Sequence, residues 1–354
     1  MCVRATAAVL CALLSVSTGC EDEAKLRFYN GSVEDYDELP LSAGAEILAG
    51  DWYNRTRPTT LITHGFTGAP EGGAMRALAG AYLRRGYNVA VLAWKCGAAA
   101  HGPSYVASYV NWAVPNAIKL GVELADALGV LSHAGLELGG TRLVGHSLGA
   151  HVFGIAGHQL ARSGTRLPCI IGLDPSGTGW ESRPAALRLS AGAAAAVLVL
   201  HTDPDRYGMR TRAGTLDVWP NARPTRVLQP GCAPRRGGSA MFSDKDLCNH
   251  NRSWQLMVEA VERPGTLVAL HARNYRDWKR RGRTDDDRLI DIGECNELAV
   301  PGSYYLVTRA TAPYGLGPAG LHPRDNRARA RTPPADTCAP TSDDASIGIW
   351  ADLH

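Results

Sequence analysis

The chain has 354 residues, of which 45% are hydrophobic and 20% are charged. This composition is typical of a globular protein and excludes general disorder, and the length suits one large α/β domain or two average domains. The 37 basic and 34 acidic side chains give a formal net charge of +3. Charge therefore predicts no nucleic acid as a partner.

The beginning of the chain predicts an export signal. An apolar run over residues 7–16 is too short to span a bilayer, and Ser17 and Gly19 are small residues that suit a cleavage site. An amphipathic first helix is one alternative. Lipidation of Cys20 is another, although Ser17 stands where a lipoprotein signal carries a larger aliphatic residue. We expect residues 1–19 to be a signal peptide and the mature protein to be secreted.

Export would place the cysteines in an oxidising compartment, where disulfides persist. Sequons for N-glycosylation begin at Asn30, Asn54 and Asn251, and the first two are the candidate glycan sites. Seven cysteines follow the signal, an odd number that leaves one free or intermolecular: Cys20, Cys96, Cys169, Cys232, Cys248, Cys295 and Cys338.

Short apolar runs alternate with longer helical patterns along the chain. This alternation is typical of βαβ units and predicts a mostly parallel sheet with helices on both faces. Helical spacing and proline positions predict helices over 73–84, 113–128 and 253–262. The clearest strands are predicted over 60–63, 89–92, 142–144, 170–173, 197–200 and 304–308.

The composition changes near the end of the chain. After about residue 310, proline, glycine, arginine and alanine follow one another without apolar periodicity. We expect residues 20–310 to form a single domain and residues 311–354 to form a poorly ordered tail.

The pattern Gly145-x-Ser147-x-Gly149 is the strongest chemical signal. A glycine-rich turn with an idle serine is the alternative, because three fixed positions arise by chance in many chains. Here an apolar strand precedes the pattern and a helix of small residues, 148–156, follows it. This is the strand, turn and helix context of a nucleophilic serine, whose hydroxyl a strained turn exposes.

Five further segments accompany the serine segment. In chain order the six segments are Thr63-His64-Gly65-Phe66, Gly145-His146-Ser147-Leu148-Gly149-Ala150-His151, Gly172-Leu173-Asp174-Pro175, Leu200-His201-Thr202-Asp203, Trp219-Pro220-Asn221 and Cys248-Asn249-His250. With these segments the sequence resembles the pancreatic-lipase-like family of α/β-hydrolases over about residues 27–308. The resemblance implies the α/β-hydrolase fold with a single catalytic domain.

The resemblance implies a catalytic triad of Ser147, Asp174 and His250, in the chain order that this fold imposes. Asp174 also follows a predicted strand, where sites of open α/β sheets lie, although an Asp-Pro pair equally suits a turn. His250 alone, among 11 histidines, would favour a structural role. The backbone amides of Phe66 and Leu148 would form the oxyanion hole.

The resemblance also bears on residues around the triad. A glycan at Asn251 is not expected, because this residue adjoins the catalytic histidine. Four histidines in the matching segments are expected to make structural hydrogen bonds instead of taking part in catalysis: His64, His146, His151 and His201.

A lid closed by a disulfide is a further implication of the resemblance. Cys232 and Cys248 fit that pair, which makes residues 233–247 the lid. This segment and the loop after His201 look short, as in the phospholipase A1 members. Cys20 and Cys96 form a second possible pair. Three cysteines stay without an assigned partner: Cys169, Cys295 and Cys338.

Two departures from the family pattern limit its ligands and partners. Residues 189–196 carry no carboxylate, so we expect no structural calcium and no other metal there. Residues 311–354 are too few for the C-terminal β-sandwich that binds a protein cofactor in digestive lipases, so no protein cofactor is expected. Oligomeric state is not indicated.

These residues together predict a secreted serine carboxylic-ester hydrolase that works without a cofactor. It would release a fatty acid from a phospholipid or a glyceride at a membrane, micelle or emulsion surface, through an acyl-enzyme. The alternative is a weakly active or inactive lipid-binding or storage protein on the same fold, since fold alone does not fix function. The triad discriminates between them, because a binding protein has no chemical need for all three residues.

Overall fold

The fold was analysed in a computed structural model. The structure describes residues 23–204, 206–223, 227–233, 240–280, 288–295 and 298–322. Within these ranges, eleven strands form one sheet in the order β10-β9-β11-β8-β7-β6-β5-β3-β4-β1-β2. The strands are β1 (Lys25–Tyr29), β2 (Tyr36–Pro40), β3 (Thr59–Thr63), β4 (Asn88–Ala93), β5 (Thr141–His146), β6 (Cys169–Leu173), β7 (Ala196–Leu200), β8 (Leu216–Pro220), β9 (Val268–His271), β10 (Leu289–Asp291) and β11 (Gly302–Leu306).

Helices follow four of the parallel strands, β3, β4, β5 and β8. A π-helical turn, Tyr109–Ala113, joins α2 to α3, and Gly135 ends α3 in the left-handed conformation at φ 114°. The helices are α1 (Gly73–Arg84), α2 (Tyr105–Ser108), α3 (Val114–Ala134), α4 (Leu148–Arg162), α5 (Asp244–Glu262) and α6 (Tyr275–Arg280). Short 3₁₀ segments are Leu41–Leu48, Leu138–Gly140, Ala185–Leu187, Ala191–Ala193 and Gly317–Gly320.

The seven central strands are parallel, and antiparallel strands complete the two edges. The pairs from β4 through β11 run parallel, β1 and β2 pair antiparallel beyond β4, and β9 and β10 pair antiparallel beyond β11. The predicted α/β-hydrolase class with a mostly parallel sheet is thus confirmed.

The sheet separates two apolar cores. Successive side chains of a strand point to opposite faces, so on β5 Leu143 packs with α3 and α4 while Val144 packs with α1 and α5. Ile170 and Ile171 divide in the same way on β6. Because both faces are covered, the central strands are rich in apolar residues on both faces and do not alternate between apolar and polar residues.

The predicted helix 253–262 begins too late. In the structure α5 begins at Asp244, so His250 lies inside the helix and not before it. Asp244 and Asp246 occupy the first turn, where negative charge interacts favourably with the helix dipole. The last turns of α5 carry the apolar pattern, whereas its first turns carry charges, and this difference conceals the true start.

The predicted domain boundary at residue 310 falls within a packed segment. The buried carboxylate of Glu259 accepts hydrogen bonds from the backbone N–H groups of Tyr314 and Gly315, at 2.5 and 2.7 Å. Further along, the indole of Trp278 donates to the carbonyl oxygen of Leu321 at 2.6 Å. Residues 311–322 therefore belong to the folded domain. Residues 323–354 lie outside the described part of the chain.

Candidate active site

Loops at the carboxyl ends of four neighbouring strands form the candidate site. The segment with Phe66 follows β3, Ser147 follows β5, Asp174 follows β6, and residues 201–203 follow β7. Because these strands are parallel, their carboxyl ends meet at one edge of the sheet, where open α/β sheets place their ligands.

Ser147 lies in the tight turn between β5 and α4. Its backbone has φ 55°, a left-handed conformation that costs energy for a residue with a side chain. A Cβ on Gly145 would lie 2.6 Å from the Cα of Ala150, and one on Gly149 would lie 2.4 Å from the carbonyl oxygen of His64. Both positions therefore require glycine, and the glycines allow the turn that exposes the serine.

The carboxylate of Asp174 is held in one orientation and is fully buried. Its Oδ2 accepts a hydrogen bond from Nδ1 of His250 at 2.6 Å. Its Oδ1 accepts from the backbone N–H groups of Thr202 and Asp203, at 2.7 and 2.9 Å. These bonds fix the orientation of the carboxylate and leave Nε2 as the ring nitrogen of His250 that is not engaged with Asp174.

The helix α5 positions the ring of His250. The side-chain hydroxyl of Ser253 donates to the carbonyl oxygen of His250 at 2.8 Å, and the histidine itself is only 4% exposed. Ser147 and His250 line the same cavity, together with Phe66. The structure thus brings the three predicted triad residues to one place.

The two predicted oxyanion donors also meet at the serine. A Cβ on Gly65 would lie 2.7 Å from the Cβ of Ser147 and 3.2 Å from the backbone nitrogen of Leu148. This close approach brings the chain at Phe66 next to the start of α4. Neither backbone N–H, of Phe66 or of Leu148, has a hydrogen-bond acceptor among the described residues. Both are therefore available to a negatively charged oxygen.

Two of the other histidines are buried and hydrogen-bonded. Burial lowers the pKa of His64 to about 4 and that of His151 to about 3. Nε2 of His151 donates to the carbonyl oxygen of Ser176 at 2.8 Å, and its Nδ1 accepts from the backbone N–H of Leu189 at 3.2 Å. These neutral rings fit the structural roles predicted for them.

The remaining two predicted histidines differ from each other. His201 is fully buried and contacts the carboxylate of Asp217 at 2.9 Å, stacked on Trp219 at 3.8 Å between ring centroids. His146 instead lies beside His250, with ring centroids 4.7 Å apart. Burial, followed by the neighbouring His250, lowers the pKa of His146 well below its usual value. A neutral ring next to the imidazole of His250 places no positive charge beside it.

The cavity at the serine has a volume of about 800 Å³ and is rich in aromatic side chains. Apart from Phe66, these side chains lie outside the segments that carry the family resemblance, and no sequence motif marks them. They are Phe66, Tyr105, Tyr109, Phe242, Trp254 and Tyr314.

The structure contains the Cys232–Cys248 disulfide expected at the base of the lid, with Cα atoms 5.7 Å apart. Of the lid, residues 234–239 lie outside the described part of the chain, and residues 244–247 are the first turn of α5. Phe242 packs its ring against Phe66 at 5.6 Å between centroids. The end of the lid thus borders the oxyanion segment.

The other cysteine and glycan predictions have different outcomes. Cys169, to which no partner was assigned, forms a disulfide with Cys295, with Cα atoms 6.0 Å apart. Asn30 and Asn54 are exposed, as glycan acceptors must be. The predicted Cys20–Cys96 pair and the unassigned Cys338 involve residues 20 and 338, which lie outside the described ranges.

Among the residues that the structure describes, no group of three or more His, Cys, Asp and Glu side chains is arranged to hold a metal ion. The expectation that residues 189–196 bind no calcium stays a prediction. Over the same residues, no helix has the length and apolarity needed to cross a membrane.

Comparisons with known proteins identify relatives over most of the chain. Residues 26–314 match the family described as Lipase. Phospholipase A1 member A from Bos taurus is 32% identical over 228 residues, which cover 64% of this chain and 46% of that protein. Phospholipase A1 from Vespula squamosa is 30% identical over 263 residues, covering 73% of this chain and 83% of that protein.

A third relative, Lipase member H from Danio rerio, is 29% identical over 267 residues, covering 74% of this chain and 53% of that protein. The chain thus spans about half the length of the Bos taurus and Danio rerio relatives and most of the length of the Vespula squamosa one.

Proposed function

The chain belongs to the lipase family, and on this basis we propose that it is a secreted serine hydrolase that cleaves carboxylic esters of lipids. One observation carries the proposal. The 2.6 Å bond between Asp174 and His250 is buried at the edge of the sheet where the strained Ser147 opens into the cavity. A nucleophile, a base and the group that orients the base are thus assembled.

The first half of the reaction forms an acyl-enzyme. Nε2 of His250 takes the hydroxyl proton of Ser147 as the serine oxygen attacks the ester carbonyl. The carbonyl oxygen becomes an oxyanion, which the backbone N–H groups of Phe66 and Leu148 stabilise. The tetrahedral intermediate collapses, and His250 returns the proton to the departing alcohol.

The second half repeats these steps with water. His250 activates a water molecule that attacks the acyl-enzyme, and the fatty acid leaves as Ser147 recovers its proton. In both halves the imidazole passes through a charged form, which the ionised carboxylate of Asp174 stabilises. The scheme requires no cofactor.

We propose phospholipids as the preferred substrates, with glycerides as the second possibility. Two of the relatives described above are named phospholipase A1. The segment between Cys232 and Cys248 is short and polar in sequence. Arg206 lies at the cavity with its side chain 38% exposed and offers a cation at the rim. A short polar rim admits a charged head group at a lower desolvation cost than an apolar lid does.

A lipid surface suits the mouth of this cavity. Tyr105, Val106 and Met241 line it and are 46%, 56% and 44% exposed. Apolar side chains exposed beside a binding cavity are typical of surfaces that meet lipid or protein. We therefore propose that the substrate is taken from a micelle, emulsion or membrane.

Labelling with a fluorophosphonate tests the nucleophile. The purified protein should be labelled covalently, whereas the Ser147→Ala variant should not be labelled. Ser163 is an exposed serine at the end of α4 and serves as the control. The Ser163→Ala variant should be labelled like the unsubstituted protein. Absence of label on the purified protein, or equal labelling of Ser147→Ala, would show that the assignment is wrong.

Fatty-acid release from two substrates tests the preference. Phosphatidylcholine micelles and a triolein emulsion are offered to the same preparation, and faster release from phosphatidylcholine is expected. Rapid cleavage of triolein with almost no cleavage of phosphatidylcholine would contradict the phospholipase assignment.

Secretion is supported by the disulfides Cys169–Cys295 and Cys232–Cys248, which persist in an oxidising compartment. Expression in eukaryotic cells with N-terminal sequencing of the medium tests it. A mature chain that begins at Cys20 is expected. Retention of the full chain inside the cells would refute the proposed signal peptide.

A further inference from the structure

The imidazole of His250 has two other rings packed against it. The ring centroid of His146 lies 4.7 Å away and that of Tyr207 lies 5.4 Å away, with interplanar angles of 44° and 42°. The hydrogen bond to Asp174 fixes one ring nitrogen, but rotation about that bond changes where Nε2 points. The two neighbouring rings limit the space for this rotation. Tyr207 takes no part in the reaction scheme.

The backbone of Tyr207 is tied to the segment that follows Asp174. Its carbonyl oxygen accepts from the backbone N–H of Gly177 at 2.8 Å. A Cβ on the next residue, Gly208, would lie 2.4 Å from Oδ1 of Asp174. The loop that carries Tyr207 is therefore packed directly on the catalytic carboxylate.

The side chain of Tyr207 is tied to the helix that carries His250. Its hydroxyl donates a hydrogen bond to Oδ2 of Asp246, which is 2% exposed. Asp246 lies four residues before His250 on α5, so the two side chains are neighbours on one face of the helix. Asp246 also accepts from the backbone N–H of Phe242 at 3.2 Å and from Nε of Arg206 at 3.0 Å.

Tyr207 is thus linked to the segment after Asp174 through its backbone and to the helix of His250 through its hydroxyl. We propose that Tyr207, anchored by Asp246, is a positioning residue that holds the imidazole of His250 in the orientation required for proton transfer with Ser147. The inference rests on the proposed hydrolase function, because it assigns a task to residues around the same triad.

Two variants remove the anchor and keep the ring packing. Tyr207→Phe loses the hydroxyl, and Asp246→Asn loses the charge of the acceptor. With p-nitrophenyl butyrate as a soluble substrate, kcat should fall by about 10-fold to 100-fold while KM changes less than about twofold, since a small misplacement of a catalytic group is costly. Asp246→Glu should recover part of the loss. Asp126→Asn, an exposed carboxylate on α3, is the matched control.

A spectroscopic measurement separates positioning from general damage. The low-field proton resonance of the His250 Nδ1–H should shift or broaden in Tyr207→Phe, while the thermal midpoint stays near that of the unsubstituted protein. If Asp246→Asn does not fold, Tyr207→Phe provides the test by itself. Unchanged kcat in folded Tyr207→Phe, or a lowered kcat with an unchanged resonance, would overturn the inference.

Failure of this inference is distinguishable from failure of the proposed function. If the unsubstituted protein reacts with fluorophosphonate and Tyr207→Phe and Asp246→Asn have the same kcat as it has, only the positioning role is refuted. An unsubstituted protein that does not react refutes the hydrolase itself.

Discussion

At the scale of single residues, the small space around Ser147 is the main constraint on which residues can neighbour it. Gly65, Gly145 and Gly149 each lie so close to other main-chain or Cβ atoms that a methyl group would meet them at 2.7 Å or less. The serine itself has a positive φ. Strain of this kind persists only where the surrounding structure fixes it. These short contacts determine where Ser147 and the proposed oxyanion donors, Phe66 and Leu148, lie.

Gly65→Ala tests this constraint. The added methyl would press on Ser147 and on the backbone nitrogen of Leu148, so the two donors should separate and kcat should fall by about 100-fold, as for the loss of one oxyanion donor. Steady-state kinetics on p-nitrophenyl butyrate give the measurement. Gly139→Ala, where a Cβ meets nothing within 4 Å, is the control. Equal kcat values for the two variants would contradict the role of Gly65.

Asp174→Asn tests the orientation of the imidazole. An amide cannot stabilise the imidazolium, and it favours the wrong tautomer of His250. We expect kcat to fall by about 10⁴-fold, in line with the same change in a serine protease triad, while the circular dichroism spectrum stays unchanged. A variant that keeps a tenth of the activity would show that another group orients His250.

At the scale of elements, α5 has two tasks. Its first half carries His250, and its second half carries Glu259, which receives the backbone N–H groups of Tyr314 and Gly315. Tyr314 lines the cavity. The helix therefore connects His250, the proposed catalytic base, to a segment that composition alone suggested was a loose tail.

Glu259→Gln places an amide group opposite one of these N–H donors. We expect a loss of about 1–3 kcal/mol in the free energy of unfolding, the cost of a buried hydrogen-bonding group left without a partner. Urea denaturation measures the loss, and hydrogen exchange at Tyr314 and Gly315 should accelerate. Glu262→Gln removes a surface pair with Arg84 and should cost less. Similar losses in both variants would count against the special role of Glu259.

The elements that sequence predicts well are those whose signal is local. The central strands from β3 to β7 are largely buried on both faces and carry short apolar runs, and the bounds of α1 agree with the predicted 73–84. The edge strands were not predicted, because β2 is largely exposed and β10 has three residues. Their conformation depends on pairing with a neighbouring strand, which local composition does not encode.

The residues of the candidate site also divide into those with a local sequence signal and those placed by tertiary contacts. Ser147, Asp174 and His250 lie in short segments whose order along the chain is informative. Tyr207 and Phe242 reach the site through loops, and their places depend on tertiary contacts such as the bonds to Asp246. The Cys169–Cys295 disulfide joins residues 126 positions apart, and such a pairing cannot be deduced from spacing.

At the scale of the whole molecule, buried neutral histidines make stability depend on pH. The pKa values of His64 and His151 are lowered by burial, to about 4 and about 3. In the unfolded chain both would titrate at the ordinary value near 6.5. Below that pH the unfolded chain binds protons that the folded protein excludes. The free energy of unfolding should therefore fall as the pH drops from about 6.5 toward 4.

His151→Gln tests this dependence. The variant should be less stable near neutral pH, because His151 makes two buried hydrogen bonds. The free energy of unfolding of the variant should also fall less steeply on acidification than that of the unsubstituted protein. The two slopes should differ by up to about 1.4 kcal/mol per pH unit, which is the contribution of one proton. Urea midpoints measured between pH 4 and 7 provide the comparison. Parallel curves for the two proteins would contradict the exclusion of protons by His151.

The two described disulfides also determine what happens when the chain is cut. Any peptide bond between Cys232 and Cys248 lies inside both covalent loops, since Cys169 precedes it and Cys295 follows it. A protease that cleaves there leaves two fragments joined at two points. The nicked protein keeps its mass on a non-reducing gel and separates into two fragments only after reduction. Ser147 and His250 then lie on different polypeptides of one covalent molecule.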